Sequence, residues 1–450
     1  MALKKQVAFL WDESFLWGLM AFRVLRRLSL SFDIVTAAEI GAGCLAGYNM
    51  LFVPGGWAID KSRALKEEGK EEIRKFIKKG GSYLGFCGGA GLALQVEEGL
   101  SLLSVTRKQP EKRVPNFSGR IRISLEDGDH PIWKGVSGDN AFHVWWPGQF
   151  SILDPNKVKV LASYSEPESD FFVADLKAND ITDWERWEKS YGINLNPGRL
   201  KGEPAILEGR YGKGRVILSY LHLETPGDRA GQAVLKNLWQ YLVTEDRVEE
   251  VEESIEDDTQ DSTAEILKGP LAPGTIRRVQ EMERLASEFI DFGQKNFLWF
   301  WRNTWLLQWR RGIRGLEYST VYILIREISA LLGSPEEQFH ETYPMRMCGK
   351  DFLEEGIENL QEKYLSFLRN ARELLMEERY AMNSGLISWK VADHSRMHLL
   401  RKKLFGKTRH HAGMFRELLD QIDAVLLPMI LDHNNIYDSF VKKLSDSKAN

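Results

Sequence analysis

Glycines surround a single cysteine in the stretch GGSYLGFCGGAGLAL, residues 80–94, and this feature constrains the fold most. An apolar run over Tyr83–Phe86 leads into Cys87, and a helix-forming run begins at Ala90. Glycine lets a strand turn sharply into a helix where a side chain would clash with neighbouring backbone. The stretch therefore predicts a strand–turn–helix unit with Cys87 at the turn.

The residues around this unit alternate between strand and helix. Short β-rich runs, QVAFLW, FDIVTA and NMLFVPGG, are separated by helical patterns. We expect helices over Phe15–Leu28, Ser62–Lys79 and Ala90–Glu98. Strand–helix alternation at this spacing predicts an α/β domain with a doubly wound, mostly parallel sheet.

A change in pattern near Asn116 predicts an antiparallel extension of the same sheet. The runs after that residue read as strands joined by short turns, and YGKG at residues 211–214 is a hairpin signal. A helix over Gly227–Leu242 is expected to close the domain. The residues between 100 and 200 carry no motif that identifies a substrate, although DITDWERWEKSYGINLNPGRL has the length and aromatic content of a lid.

The acidic stretch EDRVEEVEESIEDDTQD, residues 245–261, separates two halves of different periodicity. Its ten acids and one arginine repel each other and offer no apolar face, which predicts a solvated linker or an exposed extension of the preceding helix. The predicted organisation is an α/β domain over residues 1–244, a linker over 245–265 and an all-α helical bundle of five to seven helices over 266–450.

One segment of the second half is unusually aromatic. FLWFWRNTWLLQWRR places Leu298, Trp301, Trp305 and Trp309 on one face if it is helical. We interpret it as a core helix of the bundle, with a partner interface and a membrane-surface helix as alternatives.

Composition excludes several protein classes. The chain has 450 residues, 43% hydrophobic and 28% charged, with a net charge of −4, so nothing points to nucleic acid. The sequence contains no run of 18 uncharged apolar residues, so we predict no membrane span. Its three cysteines, Cys44, Cys87 and Cys348, are distant and odd in number, which favours a reducing cytoplasm over a disulfide framework. His394 and His398 lie one helical turn apart, but without a third ligand they predict no metal site.

Cys87 has the setting of a nucleophile, with a small buried hydrophobe as the alternative reading. A helix beginning beside it would favour the reactive thiolate. The N–H of Gly88, together with one from Gly55 or Gly56 in the VPGG turn, could bind an oxyanion. HLE at residues 222–224 supplies a base and its orienting carboxylate, since in an extended chain His222 and Glu224 share a face.

These residues resemble the class I glutamine amidotransferase-like fold, and most closely the branch named for the N-terminal domain of biotin protein ligases. The resemblance is carried by Gly80–Ala90, the VPGG turn and HVWWPGQF at residues 143–150, and covers residues 5–243. It implies Cys87 as nucleophile, His222 as base and Glu224 as its orienter.

Two departures from that pattern stand out. Leu223 replaces the proline usual between the histidine and the glutamate, and no domain that would accept ammonia is recognisable downstream. The predicted function is cysteine-dependent hydrolysis of a small-molecule or peptide carboxamide through a thioester on Cys87, without cofactor or metal. The alternative is a non-catalytic ligand-binding module. In either case the helical domain is expected to bind a protein partner or a second copy.

Overall fold

The computed structural model describes residues 5–136, 140–243, 271–333, 349–383, 396–407 and 410–448, with side chains up to residue 432. The chain divides into two compact units, residues 1–249 and 250–450. The predicted linker over residues 245–265 lies outside the described residues, as do Cys348 and His394.

Strands and helices alternate in the first part of the first unit, and strands dominate its second part. The strands are β1 (Lys5–Leu10), β2 (Asp33–Val35), β3 (Tyr48–Val53), β4 (Ser82–Phe86), β5 (Val105–Arg107), β6 (Phe117–Leu125), β7 (Ala141–Trp145), β8 (Phe150–Ile152), β9 (Val158–Pro167), β10 (Phe172–Val173), β11 (Leu176–Lys177), β12 (Pro204–Tyr211) and β13 (Gly214–Ser219). The helices are α1 (Phe15–Arg27), α2 (Ala37–Gly41), α3 (Ala58–Lys78), α4 (Gly88–Leu92), α5 (Trp184–Tyr191) and α6 (Arg229–Val243).

Eleven of the strands in the described part of this unit form one mixed sheet. Its order is β11-β10-β6-β9-β12-β13-β4-β3-β1-β2, with β7 paired to β6. From β2 to β13 the pairs are parallel, and from β13 to β11 they are antiparallel. The hairpin predicted at residues 211–214 joins β12 to β13, with Tyr211 opposite Gly214. The predicted α/β fold class with an antiparallel extension is confirmed, and the extension is as large as the parallel part.

The central strands are apolar because helices cover both faces of the sheet. On one face Phe52 contacts Phe86, at 5.3 Å between ring centroids, and Trp239 of α6, at 5.7 Å. On the other face Ile73 and Ile77 of α3 belong to one buried cluster with Leu51 and its neighbours. Each fully buried side chain of this size contributes about 1.5–3 kcal/mol to folding, so the sheet edge that carries Cys87 rests on a rigid core.

The helix after Cys87 is shorter than predicted. It ends at Leu92, not at Glu98, because the returning chain takes the helix-end carbonyls. Leu100 N–H donates to the Leu92 carbonyl at 2.8 Å, and Leu102 N–H donates to the Ala93 carbonyl at 2.9 Å. The chain therefore folds back under the turn instead of continuing as a helix.

The second unit is a helical region with one short hairpin among its described residues. Its elements are α7 (Pro273–Lys295), β14 (Trp299–Trp301), β15 (Leu307–Trp309), α8 (Gly315–Leu332), α9 (Lys350–Asn383), α10 (Arg396–Phe405) and α11 (Gly413–Lys448). Tyr318, Phe367, Phe405 and Phe415 form an aromatic cluster in its core. No helix in the described ranges has both the length and the apolar character needed to cross a membrane.

The predicted aromatic helix is wrong. Residues 299–309 form a hairpin in which Trp299 pairs with Trp309. The Asn303 side chain accepts hydrogen bonds from Trp305 N–H at 2.8 Å and Leu306 N–H at 2.9 Å, which closes the turn. Aromatic residues also favour strands. Burial is retained on one side, where the Trp299 ring is 3% exposed and its Nε1 donates to the Ile290 carbonyl.

Candidate functional site

Cys87 occupies a sharp turn between β4 and α4. Its φ of 46° and ψ of −101° are rare for a residue with a side chain, and such strain persists only where the surroundings enforce it. Here Cys87 N–H donates to the Ser219 carbonyl at 2.8 Å, and Gly91 N–H donates to the Cys87 carbonyl at 2.8 Å. Cys87 itself is partly exposed, while its sequence neighbours on both sides are buried. The backbone thus raises this side chain out of a packed layer.

The glycines around Cys87 are required by close backbone contacts. A Cβ atom on Gly88 would lie 2.0 Å from the Gly56 carbonyl oxygen, and one on Gly89 would lie 2.0 Å from the Val53 carbonyl oxygen. Gly89 N–H also donates to the Pro54 carbonyl at 3.1 Å. We call the sharp turn between β4 and α4 around Cys87 the elbow. Any side chain at Gly88 or Gly89 would therefore force β3 and the turn after it away from the elbow.

The same contacts bring the predicted oxyanion donors together. Gly55 and Gly56 follow β3, and Gly88 stands at the first position of α4, where an N–H has no acceptor within the helix. The φ of Gly56 is +115°, which glycine adopts readily. Because α4 has only five residues, its dipole is weaker than we predicted, and the individual N–H groups matter more.

His222 lies just beyond β13, next to Cys87, and both the His222 and Glu224 side chains are fully buried. His222 Nδ1 is 2.7 Å from Glu224 Oε1. The two residues are not in extended chain as expected but in a turn, closed by a 3.1 Å hydrogen bond from Thr225 N–H to the His222 carbonyl. Leu223, which replaces the proline, is fully buried within that turn.

The electrostatic surroundings of His222 favour its charged form. Burial by itself would lower the pKa of His222, but the Glu224 carboxylate and the neighbouring Cys87 raise it to about 10. His222 Nε2 is buried and forms no hydrogen bond of standard geometry with another described group. The imidazole is therefore held at Nδ1, with its second nitrogen on the side of the Cys87 sulfur.

Trp17 is a site residue that the sequence did not reveal. Its ring lies 4.7 Å from the His222 ring, centroid to centroid, and a Cβ on Gly55 would lie 2.9 Å from it. Trp146, from the HVWWPGQF segment, is 6.5 Å from Trp17. The two indoles form an aromatic wall at the histidine, and the wall combines α1 with a segment 129 positions later in the chain.

Lys61 was also missed, because a lysine in a charged helix is usually solvated. Its side chain is 0% exposed, and Nζ donates to the Asp12 carbonyl at 3.0 Å and to Ser14 Oγ at 2.5 Å. A Cβ on Gly56 would lie 3.2 Å from Lys61 Cε. Burial lowers the pKa of Lys61 to about 7, against the opposing effect of nearby carboxylates led by Glu13. The buried Lys61 side chain therefore packs against the turn at Gly56.

Comparisons with known proteins agree with the resemblance expected from the sequence. Residues 44–98, from before β3 to beyond α4, match the family model described as "Biotin-protein ligase, N terminal". This confirms the predicted resemblance over the segment that contains Cys87 and the VPGG turn. A search of curated proteins finds no match to this chain.

Solved structures that resemble the chain cover about half of it. PurLQS from Thermotoga maritima is 16% identical over 53% of this chain and 100% of that chain, with a TM-score of 0.36. A glutamine amidotransferase from Thermotoga maritima is 13% identical over 54% and 100%, with a TM-score of 0.34. A ThuA-like protein from Bacteroides uniformis is 14% identical over 55% and 94%, with a TM-score of 0.37. Sequence identities and TM-scores this low say nothing about the activity of this chain.

Proposed function

We propose that the first unit hydrolyses a carboxamide through a thioester on Cys87, as an amidotransferase-like cysteine hydrolase. The observation that supports this most directly is the buried His222, held at Nδ1 by Glu224 at 2.7 Å and adjacent to Cys87 through the other side of its ring. A thiol, a histidine base and an orienting carboxylate are the parts that nucleophilic catalysis requires.

In the first half-reaction, the Cys87 sulfur attacks the carboxamide carbon and a C–S bond forms. The carbonyl oxygen becomes an oxyanion, which the N–H of Gly88 and one N–H of the Gly55–Gly56 turn stabilise. Each such donor contributes about 100- to 1,000-fold in rate. When the C–N bond breaks, the protonated His222 gives its proton to the leaving nitrogen, and ammonia or an amine departs.

In the second half-reaction, water hydrolyses the thioester. The now neutral His222 accepts a proton from the attacking water, so the acid is released and the thiolate and imidazolium are regenerated together. Glu224 keeps the imidazole in one orientation during both proton transfers. Trp17 and Trp146 limit water access on the histidine side, which strengthens the electrostatic interactions of the site.

The test is incubation of the full chain with glutamine and a panel of carboxamides. We expect ammonia release and an acyl adduct visible by intact mass, both lost in Cys87→Ala and retained in the control Cys44→Ala. Neither ammonia nor an adduct, together with alkylation of Cys87 no faster than that of Cys44, would overturn the hydrolase and favour the ligand-binding module. That the helical region binds a partner or a second copy stays a prediction.

A further inference from the structure

The turn between α7 and β14 places a large apolar side chain where the backbone favours glycine. Phe297 has a φ of 57°. Its N–H donates to the Gln294 carbonyl at 3.0 Å, and Leu298 N–H donates to the Gly293 carbonyl at 2.9 Å. This pair of bonds is a Schellman motif, in which glycine usually takes the left-handed position because it has no Cβ. Phenylalanine at this position therefore strains the end of α7.

The Phe297 ring is not compensated by burial. Phe297 is 72% exposed, and Phe300, three positions later, is 49% exposed. An apolar ring in water at a strained position is unfavourable for folding on both counts. Backbone strain and exposed apolar side chains are both typical of binding surfaces. The ring is explained if it becomes buried when the protein binds something.

The residues around this ring are basic or neutral. Residues 292–316 contain one lysine and four arginines and no acidic residue, in a chain whose net charge is −4. Arg310 Nε donates to the Phe297 carbonyl at 3.4 Å, and Arg302 Nη1 donates to Gln308 Oε1 at 2.9 Å. Both acceptors are neutral, so these contacts position the guanidinium groups without cancelling their charge.

Phe300 and the two arginines lie on one face of the β14–β15 hairpin. Phe300 pairs with Gln308 across the strands, and Arg302 and Arg310 each lie two positions from one member of that pair. Side chains two positions apart on a strand project to the same side. Trp299, which alternates with them, is buried against the helices. We call Lys295, Phe297, Phe300, Arg302 and Arg310 the hairpin surface.

The size of the hairpin surface favours a lipid layer over a macromolecular partner. Each of its strands has three residues, whereas a stable protein interface buries about 800 Å² on each partner. A nucleic acid is bound along a continuous track of cations. An anionic membrane requires less, because aromatic rings enter its interfacial layer while nearby lysine and arginine are attracted to acidic headgroups.

We propose that the hairpin surface binds anionic phospholipid bilayers from one side. Its two phenylalanine rings enter the headgroup layer, and its basic side chains contact the lipid phosphates. Two rings and a few charges give weak, reversible attachment. The inference goes beyond the proposed hydrolysis and does not depend on it.

The test is co-sedimentation of the full chain with vesicles of phosphatidylcholine alone or of phosphatidylcholine mixed with phosphatidylserine. We expect binding to the mixed vesicles only, and added salt should weaken it. The double variant Lys295→Gln/Arg310→Gln should lower the partition coefficient about 25-fold, since each charge contributes about fivefold. Binding that is the same with and without phosphatidylserine would overturn the proposal.

Phe297→Gly separates a binding role of the ring from a structural one. Glycine relieves the left-handed backbone and removes the exposed ring, so the melting temperature should rise. Partitioning to the mixed vesicles should fall about tenfold for the lost apolar contact. A fall in melting temperature with unchanged vesicle binding would show that the ring is structural and would overturn the proposal.

Matched controls replace exposed groups elsewhere in the second unit. Leu399→Ser removes an apolar side chain that is 60% exposed, and Arg278→Gln removes a cation that lies 2.6 Å from Glu358. Each should bind the mixed vesicles within about twofold of the parent. Losses equal to that of Phe297→Gly would overturn the assignment to the hairpin surface. Binding of single-stranded RNA without binding of vesicles would assign the surface to nucleic acid instead.

Discussion

Two histidine–carboxylate pairs lie side by side in the first unit, and they differ in what surrounds them. His222 Nδ1 is 2.7 Å from Glu224, and His143 Nδ1 is 2.8 Å from Asp228. The pairs are joined by the hydrogen bond from His222 N–H to the His143 carbonyl at 2.9 Å. Geometry within each pair is therefore nearly the same and cannot decide which one takes part in chemistry.

Their surroundings do separate the two pairs. The first pair is fully buried beside Cys87, while the side chains of His143 and Asp228 are 18% and 6% exposed. Asp228 also accepts from Gly231 N–H at 2.9 Å at the start of α6. We interpret the second pair as a structural link between β7 and α6. A histidine–carboxylate distance is therefore informative only together with the atom that the free ring nitrogen faces.

The largest effect is expected at the sulfur itself. Cys87→Ala should reduce ammonia release and adduct formation to background, because the proposed thioester forms on the Cys87 sulfur. Cys44→Ala should retain the parent activity. The measurement is ammonia release with intact-mass detection. Residual turnover above background in Cys87→Ala would show that this cysteine is not the nucleophile.

Replacing each histidine in turn tests directly whether only the His222 pair affects the reactivity of Cys87. His222→Asn should slow iodoacetamide labelling of Cys87 on the order of 100-fold, since general acid–base groups contribute at least that much. His143→Asn should change the rate less than about threefold, although each variant loses a histidine–carboxylate hydrogen bond and about 1 kcal/mol of stability. Equal slowing in the two variants would remove the distinction between the pairs.

Glu224 and Asp228 are expected to differ in how they affect the pH dependence of folding stability and of Cys87 labelling. The pKa of His222 is raised to about 10 in the folded state, so the stability from its charged form is complete below about pH 6.5 and is lost as the pH rises toward 10. Glu224→Gln should move that loss to lower pH and slow Cys87 labelling at pH 8 about tenfold, the effect of one pKa unit.

Asp228→Asn should leave the parent pH profile in place. Unfolding free energies measured in denaturant from pH 6 to 10, together with labelling rates, provide the check. The same profile in parent and Glu224→Gln would contradict the charge pairing that we assign to His222.

The smallest effect is expected where the two pairs meet. Thr225 Oγ1 donates to the His222 carbonyl at 2.7 Å and accepts from Trp145 Nε1 at 3.0 Å. Thr225→Val should lower the free energy of unfolding by about 1 kcal/mol for the lost hydrogen bonds, with little change in labelling. If Thr225→Val slowed Cys87 labelling as much as Glu224→Gln does, the Thr225 hydrogen bonds would have to affect the reactivity of the His222–Glu224 pair as well.

Much of the architecture near Cys87 could be predicted because its signals are local. The glycines of the elbow and the apolar run before Cys87 lie within fifteen residues, and the hairpin at residues 211–214 has its own turn signal. Sheet register then aligns the strand that leads to His222 with the strand that leads to Cys87, because β13 and β4 are parallel neighbours. Topology converts two distant local signals into one candidate site.

The remaining site residues depend on tertiary contacts that no local pattern carries. Lys61 is an ordinary charged residue in sequence, and only packing decides that it is buried next to the Gly56 turn. Trp17 lies on the predicted helix over Phe15–Leu28, where nothing in the sequence distinguishes it from the other apolar residues. The hairpin at residues 299–309 was missed because its tryptophans also fit a helical period. The turn that closes it depends on two hydrogen bonds accepted by the Asn303 side chain, which no sequence pattern announces.

The contact between the elbow and the glycine turn determines where this protein can change. Gly88 and Gly89 rest directly on the carbonyl oxygens of Gly56 and Val53, so the floor of the site admits no new side chain. Variation among related chains should therefore accumulate in the aromatic wall, at Trp17 and Trp146. A library that diversifies those positions would explore new substrates, whereas one aimed at the elbow would mostly sample unfolded protein.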